Sequence, residues 1–126
     1  NSDVVDAFDA VACGQLNNIK LSWLKQAALI VVMASRGYPG PFEKGTKIRN
    51  LSQADVIDDV TVFHAGTKSL DNQLVATGGR VLGVTALGNT IQEAQSKAYK
   101  AVDKIDWPNG FCRRDIGWRA ITREPN

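Results

Sequence analysis

Thr77-Gly-Gly-Arg-Val-Leu-Gly-Val-Thr-Ala-Leu87 is the stretch of sequence that bears most directly on the fold of this chain. Two glycines precede Arg80, and the apolar residues after it predict a short strand that anchors the arginine to a core. A guanidinium presents a rigid fork of N–H donors suited to phosphate or carboxylate. The stretch therefore indicates either an anion site on a rigid scaffold or a hairpin followed by an exposed arginine, because glycine pairs are ordinary turn signals.

The composition predicts one modest domain and argues against two classes of partner. The 126 residues are 44% hydrophobic and carry a net charge of +2, which suits a single core. Charges of both signs are interspersed and no basic run exceeds Arg113-Arg114, so nucleic acid is not an expected partner. The longest apolar run, residues 27–34, is too short to cross a bilayer. Because the sequence begins with Asn rather than Met, we expect either a removed leader or a piece of a longer protein.

The cysteines and the histidine limit the chemistry further. Cys13 and Cys112 lie near opposite ends of the chain without metal-site spacing, so we expect both to be reduced and partly buried in a cytoplasmic protein. His64 is the only histidine, which excludes sites built from several histidines. No Walker loop, dinucleotide-binding glycine motif or zinc spacing is present, and no metal site is predicted.

The first part of the chain predicts a helix and then a strand. Ser2 or Asp3 is expected to cap the helix and Gly14 to end it. Residues 17–25 are predicted to connect, with Trp23 packed at their end. The β-branched run of residues 27–34 predicts a strand buried on both faces.

A turn rich in glycine and proline follows, Ser35-Arg-Gly-Tyr-Pro-Gly-Pro-Phe42. It is interpreted either as a rigid strand connection or as a binding loop. A short strand around Ile48 and a short helix over residues 51–57, started by Ser52, are predicted next.

The middle of the chain predicts an antiparallel meander. Residues 60–65 and 80–86 are predicted strands, with residues 74–76 leading into the second of them. A hairpin loop is expected at Asp71-Asn72 between them.

A long helix completes the predicted architecture. Thr90-Ile-Gln-Glu93 is a capping box, and apolar residues at helical spacing continue as far as Ile105. In the tail, Asp115 is expected to cap a short turn and to pair with an arginine, and the three tryptophans are expected in core or interface positions (Trp23, Trp107, Trp118). The predicted class is α+β: a small antiparallel meander or barrel-like domain covered by one long helix.

Four motifs, taken in order, closely resemble one family. They are residues 34–45, beginning Ala-Ser-Arg-Gly-Tyr-Pro-Gly; Val62-Phe-His-Ala-Gly-Thr-Lys68; Gly78-Gly-Arg-Val-Leu-Gly-Val-Thr-Ala86; and Arg113-Arg-Asp-Ile-Gly-Trp-Arg-Ala120. Together they resemble the C-terminal part of the phosphoribosylamine–glycine ligases, also called glycinamide ribonucleotide synthetases, of the ATP-grasp superfamily. The resemblance runs through about the whole chain.

The resemblance implies an activity for the parent protein. Members of the family join glycine to 5-phosphoribosylamine with hydrolysis of ATP to ADP and phosphate, giving glycinamide ribonucleotide in de novo purine synthesis. It implies ATP and Mg²⁺ or Mn²⁺, bound mainly by lobes absent from this chain, and phosphoribosylamine, glycine and the remainder of the same polypeptide as partners. It implies no nucleic acid and no membrane.

The resemblance also implies a division of the chain. Residues 1–24 correspond to the last helix and linker of the grasp domain, and residues 25–126 to the C-terminal substrate-side domain, of the rudimentary hybrid-motif type. The metal ligands of the family lie upstream of this sequence, so we expect this piece alone to be inactive, with no catalytic residue of its own.

Related grasp enzymes imply candidate site residues. A lysine and an arginine of the corresponding domain bind a ribose 5-phosphate there, which implies Lys68 and Gly79-Arg80 here. The glycines before Arg80 would leave room for the ligand to approach. His64, Gly66 and Thr67 are candidates for further donors, with a buried core histidine as the alternative for His64. Gly37 and Tyr38 are candidates for lining the cleft.

A second function is open alongside the ligase. A stand-alone module that binds an anion or a ribonucleotide, without catalysis, would keep the same fold and the same arginine.

Overall fold

The computed structural model of the chain describes residues 2–123. These residues form seven β-strands: β1 Ala27–Ser35, β2 Thr46–Ile48, β3 Val60–His64, β4 Thr67–Leu70, β5 Gln73–Ala76, β6 Arg80–Gly88 and β7 Gly110–Phe111. They also form four α-helices, α1 Val4–Ala12, α2 Leu51–Asp55, α3 Ile91–Val102 and α4 Trp118–Ile121, and a 3₁₀ turn at Leu16–Asn18. The predicted antiparallel α+β class is confirmed.

A four-stranded antiparallel sheet, in the order β3-β6-β1-β7, holds the core. Val84 of β6 pairs with Val31 of β1 and with Val62 of β3, so the three side chains share one face of the sheet. Val31 and Val84 are fully buried there. The hydrophobic effect on this face therefore fixes the register of the sheet.

Helix α3 covers this face. Its N-terminus is capped as the sequence predicts, because the Thr90 hydroxyl accepts a hydrogen bond from the Glu93 N–H at 3.1 Å. The Glu93 carboxylate accepts from the Asn89 N–H at 2.8 Å. Ala94, Ala98 and other small residues of the helix are fully buried against the sheet.

The opposite face of the sheet carries exposed apolar side chains. Ile30 and Val32 of β1 are 48% and 42% exposed, and Phe63 of β3 is 55% exposed. The prediction that β1 is buried on both faces is therefore wrong. A continuous apolar run could not separate a core face from an open apolar face, because both use the same residue types.

A second sheet contains β2, β5 and β4, in that order. The hairpin between β4 and β5 turns at Asp71 and Asn72, which have φ of 47° and 58°. This places the turn where the sequence predicts it. The predicted meander is divided, however: β3 pairs directly with β6, and the β4–β5 hairpin between them joins the smaller sheet.

The tryptophans take different positions from one another. Trp107 is buried, and its indole N–H donates to the Thr46 hydroxyl at 3.0 Å. Trp118 is half-exposed and Trp23 is 81% exposed. The core prediction is confirmed for Trp107, whereas the predicted packing of Trp23 at the end of its connection is wrong for the chain as described.

The N-terminal segment has its own local structure. Asp3 caps α1 by accepting a hydrogen bond from the Val5 N–H at 2.8 Å, and Gly14 follows the helix with φ of 68°. The apolar face of α1, which includes Phe8, is exposed. Cys13 is exposed and Cys112 is half-buried, and both are free thiols, so the expected partial burial is wrong for Cys13.

Of two further predicted helix or turn starts, one differs from the sequence-based expectation and one agrees with it. Helix α2 begins at Leu51 with Asn50 as its N-cap, so Ser52 lies inside the helix and does not start it. In the tail, the Trp118 N–H donates to the Asp115 carbonyl at 3.4 Å, which agrees with the predicted short turn at Asp115.

Replacing Leu82 by alanine tests the central role of β6 in the core. Leu82 is 1% exposed, so we expect L82A to lower the free energy of unfolding by about 2–5 kcal/mol, the sum of lost burial and a cavity. Urea unfolding would measure it. Val56→Ala is the matched control, because Val56 is 78% exposed and should change stability by less than about 0.5 kcal/mol. Equal effects of the two substitutions would contradict this assignment of the core.

Candidate functional site

Two loops cross in close contact just before β6 begins. The carbonyl of Gly66 accepts hydrogen bonds from the N–H groups of Thr77 and Gly78, at 2.7 and 3.1 Å. A Cβ atom on Gly66 would lie 2.7 Å from the Cα atom of Gly78. The two backbones can therefore approach this closely only because both residues are glycine.

Tyr38 packs directly onto Gly79. A methyl group at Gly79 would overlap the Tyr38 ring. The ring also meets Phe42 edge-on, with centroids 6.4 Å apart. Gly78 and Gly79 thus serve contacts within the chain. That the pair also leaves room for a ligand stays a prediction.

The turn that carries Tyr38 is held at several points. Gly37 has φ of 102°, and a side chain there would overlap the carbonyl of Pro41. The Tyr38–Pro39 peptide is cis. The Arg36 N–H donates to the Asn109 carbonyl at 2.7 Å. Tyr38 lies against Gly79 and lines a common groove with Arg80, so the structure brings these three predicted residues together, and Gly37 belongs to the turn that carries Tyr38.

Arg80 borders a groove on the open face of the larger sheet. The groove is lined by apolar side chains with two arginines and a tyrosine among them: Ile30, Val32, Ala34, Tyr38, Arg80, Phe111, Cys112, Arg113 and Ile116. Arg80 is exposed. Within residues 2–123, its guanidinium takes part in no hydrogen bond or ion pair.

Arg113, the second arginine of the groove, forms an ion pair with Asp115. Arg113 donates two hydrogen bonds to the Asp115 carboxylate, at 2.9 and 2.6 Å. These bonds raise the pKa of Arg113 and lower the pKa of Asp115, so both stay charged as a pair. Within residues 2–123, Arg80 is therefore the cation of the groove that has no charged partner. Burial raises the pKa of the Cys112 thiol in the same groove.

His64 and Thr67 lie at the loop that crosses Gly78. The Nδ1 atom of His64 lies 3.0 Å from the Thr67 hydroxyl, within hydrogen-bonding distance. His64 is exposed at the end of β3. The alternative of a buried core histidine is therefore wrong. Both residues are close in sequence to Gly66, which contacts the backbone before Arg80.

Lys68 occupies a different environment. It pairs with Val75 across β4 and β5, and Lys47 pairs with Val75 from the other side. Paired residues in antiparallel strands share a face, so the two lysines flank Val75 on the smaller sheet. Lys68 is exposed and does not line the groove of Arg80. Its role as a partner of Arg80 stays a prediction.

Ser35 and Arg113 are features of the site that sequence reasoning did not single out. Ser35 ends the apolar run of β1 and is buried, although a serine beside a glycine-rich turn gives no sign of burial. Arg113 lies far along the chain from Arg80 and shares its groove only through the fold.

Residues 2–123 show neither a metal-binding cluster nor a membrane-spanning helix. Among residues 2–123, no group of three or more His, Cys, Asp or Glu side chains is placed to hold a metal ion. In the same residues, no helix has both the length and the apolar character needed to cross a membrane.

The sequence of the domain also matches a known protein family. Residues 28–119 match the family model described as "Phosphoribosylglycinamide synthetase, C domain". The chain belongs to this family. The matched residues contain β1 through α4 except their outermost ends, and therefore all of the groove residues. The family resemblance inferred from the four motifs is confirmed.

Individual relatives give the same result. The chain is 55% identical over 122 residues to a phosphoribosylamine–glycine ligase of Mesorhizobium japonicum, covering 97% of this chain and 28% of that protein. It is 52% identical over 123 residues to the ligase of Agrobacterium fabrum, covering 98% of this chain and 29% of that protein.

A solved structure of a relative has the same fold. A phosphoribosylamine–glycine ligase of Thermotoga maritima matches with a TM-score of 0.68 and 32% identity, over 87% of this chain and 27% of that one. The chain thus spans under a third of the length of each of these three relatives.

Adding one methyl group at Gly79 tests the Tyr38 contact in this C domain. We expect Gly79→Ala to lower the free energy of unfolding by roughly 1–3 kcal/mol, because the new methyl overlaps the ring. Urea unfolding of the isolated chain measures this. In a Tyr38→Ala background the same substitution should lower the free energy of unfolding much less, since the ring is gone. An equal loss of stability in both backgrounds would show that the Tyr38 ring is not the obstacle.

Proposed function

We propose that this chain is the C-terminal part of a phosphoribosylamine–glycine ligase and that Arg80 binds the 5-phosphate of phosphoribosylamine. The observation that carries the proposal is the state of Arg80: among residues 2–123 it has no ion-pair or hydrogen-bond partner, although it borders a groove in which Arg113 is paired with Asp115. Family membership supplies the substrate class.

The groove suits a phosphate in its charge and in its surroundings. A phosphate monoester is close to a dianion at neutral pH, and a guanidinium can donate two parallel hydrogen bonds to it. The apolar side chains of Ile30 and Val32 form part of the lining. Their low polarity strengthens the attraction between the two charges once a ligand excludes water.

This domain positions the substrate phosphoribosylamine, and the bonds of the reaction are formed and broken elsewhere in the parent protein. The proposed reaction joins glycine to the amine of phosphoribosylamine with hydrolysis of ATP. By holding the 5-phosphate on a rigid strand, Arg80 keeps the amine of the same substrate at a constant place.

ATP and Mg²⁺ or Mn²⁺ are assigned to no residue of this chain. The described residues contain no cluster able to hold a metal ion, so they do not fit the ion that the resemblance implies. We propose that both bind to lobes that precede this domain in the parent protein. The greater length of the two ligases from Agrobacterium fabrum and Mesorhizobium japonicum supports this proposal, since each is more than three times as long as this chain.

Those lobes are also the proposed covalent neighbour of residues 1–24. The apolar side chains of Val4 and Phe8 on α1 are 57% and 68% exposed. Exposed apolar surface of this kind is typical of an interface. We further propose a cytoplasmic enzyme, which the free thiols of Cys13 and Cys112 support.

Steady-state kinetics of a full-length ligase carrying this domain test the phosphate site. We expect Arg80→Ala to raise the KM for phosphoribosylamine roughly 10- to 150-fold, because a charge-assisted hydrogen bond contributes about 1.5–3 kcal/mol. Arg80→Lys should recover part of the loss, since a point charge replaces the two-pronged contact. The KM for ATP should not change.

Two further variants complete the experiment. Lys100→Ala removes an exposed cation on α3, on the other side of the sheet, and should leave every KM unchanged. Lys68→Ala raises the KM for phosphoribosylamine only if this lysine reaches the same phosphate. A folded Arg80→Ala enzyme with the parental KM would refute the phosphate site. Retention of ligand binding by a polypeptide without ligase activity would favour the stand-alone module.

A further inference from the structure

We propose that Ser35 is a positioning residue for substrate binding: its buried hydroxyl holds the backbone before Arg80 so that the guanidinium lies at the groove. The inference rests on the proposed function, because it gives Ser35 a kinetic role only if Arg80 binds substrate. Ser35 itself does not line the groove and is 2% exposed. Its effect must therefore pass through other residues.

Ser35 hydrogen-bonds to two successive peptide carbonyls. Its N–H donates to the Gly79 carbonyl at 2.8 Å. Its hydroxyl donates to the Gly78 carbonyl, also at 2.8 Å. These carbonyls belong to the two residues immediately before Arg80. One residue thus holds the chain where it enters β6, with its backbone on the Gly79 carbonyl and its side chain on the Gly78 carbonyl.

The sheet register explains why a side chain is needed at this point. Met33 pairs with Leu82, but Ala34 pairs with Arg80, so the register shifts by one residue between them. Val81 is the extra residue, and its carbonyl accepts a hydrogen bond from the Ala65 N–H at 3.0 Å instead. Bulges of this kind turn the following side chains in a new direction. Beyond the bulge, Ser35 supplies the hydrogen bonds that link β1 to the chain before β6.

Ser35 is also the first residue of the turn that carries Tyr38. Its carbonyl accepts a hydrogen bond from the Tyr38 N–H at 3.0 Å. The turn places the Tyr38 ring against Gly79. Gly79 is thus held by the backbone of Ser35 and by the ring of Tyr38. Loss of the hydroxyl frees the Gly78 carbonyl while the other contacts remain, which loosens the backbone without removing the fold.

A double-mutant cycle in the full-length ligase tests the proposal. We expect Ser35→Ala to raise the KM for phosphoribosylamine about 5- to 30-fold with kcat changed less than twofold. Ser35→Thr, which keeps a hydroxyl, should return the KM toward the parental value. In an Arg80→Ala enzyme, adding Ser35→Ala should raise the KM no further, because the group that it positions is already absent.

A matched control separates positioning from general stability. Thr46 accepts the buried hydrogen bond from Trp107, so Thr46→Val also removes one buried side-chain hydrogen bond. It should lower the melting temperature without raising the KM for phosphoribosylamine. If Ser35→Ala unfolds the enzyme, Ser35→Cys carries the same kinetic test, because a thiol keeps the shape and is a weak donor.

The outcomes distinguish this inference from the proposed function. If Arg80→Ala raises the KM and Ser35→Ala does not, the role of Ser35 is refuted and the phosphate site stands. A Ser35→Ala effect that persists in full in the Arg80→Ala background also refutes it. If Arg80→Ala leaves the KM unchanged, the phosphate site fails and the positioning role fails with it.

Discussion

The antiparallel pairing of β1 with β6 is the interaction on which the rest of the structure depends. These are the two long strands, and both lie inside the larger sheet, with β3 and β7 at its edges. Their buried side chains form one surface, and α3 packs on that surface. Since a shift of one residue would turn this apolar surface toward water, burial fixes the register along most of the pair.

The same pairing determines where Arg80 lies, because its register changes near the end of β1, which is opposite the beginning of β6. The bulge at Val81 lets Arg80 sit opposite Ala34. Beyond the bulge, hydrogen bonds from Ser35 replace the regular ladder, and the glycines allow the loop at Gly66 to approach. The strand that stabilises the core therefore also carries the candidate ligand contact on a rigid backbone.

In the part of the chain that the structure describes, several arginines of the domain have an aspartate as a partner, and Arg80 does not. Arg49, Arg113 and Arg114 each pair with an aspartate. Such exposed pairs add little to stability, but they leave less positive charge available to a ligand. Arg80 has no such partner within residues 2–123. An uncompensated guanidinium at an apolar groove is a suitable contact for an anion, and this difference would not emerge from a count of basic residues.

The local elements were predictable from sequence because their causes are local. The capping box at Thr90, the turn at Asp71-Asn72 and the apolar run of β1 each depend on neighbouring residues. The motif around Arg80 and its three companions were sufficient to indicate the family, because their order and chemistry are specific. The open face of β1 and the exposure of Trp23 were missed, since an apolar residue has the same identity whether its neighbour is a core or solvent.

Only the tertiary structure decided which distant segments of the chain contact one another. The sequence by itself determined an arginine after two glycines at the start of an apolar strand. It did not determine that Gly79 contacts Tyr38, that Ser35 holds the preceding carbonyls, or that Arg113 shares the groove with its charge already paired. Lys68, predicted as the partner of Arg80, lies on the smaller sheet beside Val75. The physical reason is that hydrogen bonds and charges act over a few ångströms in space, and sequence separation does not specify that distance.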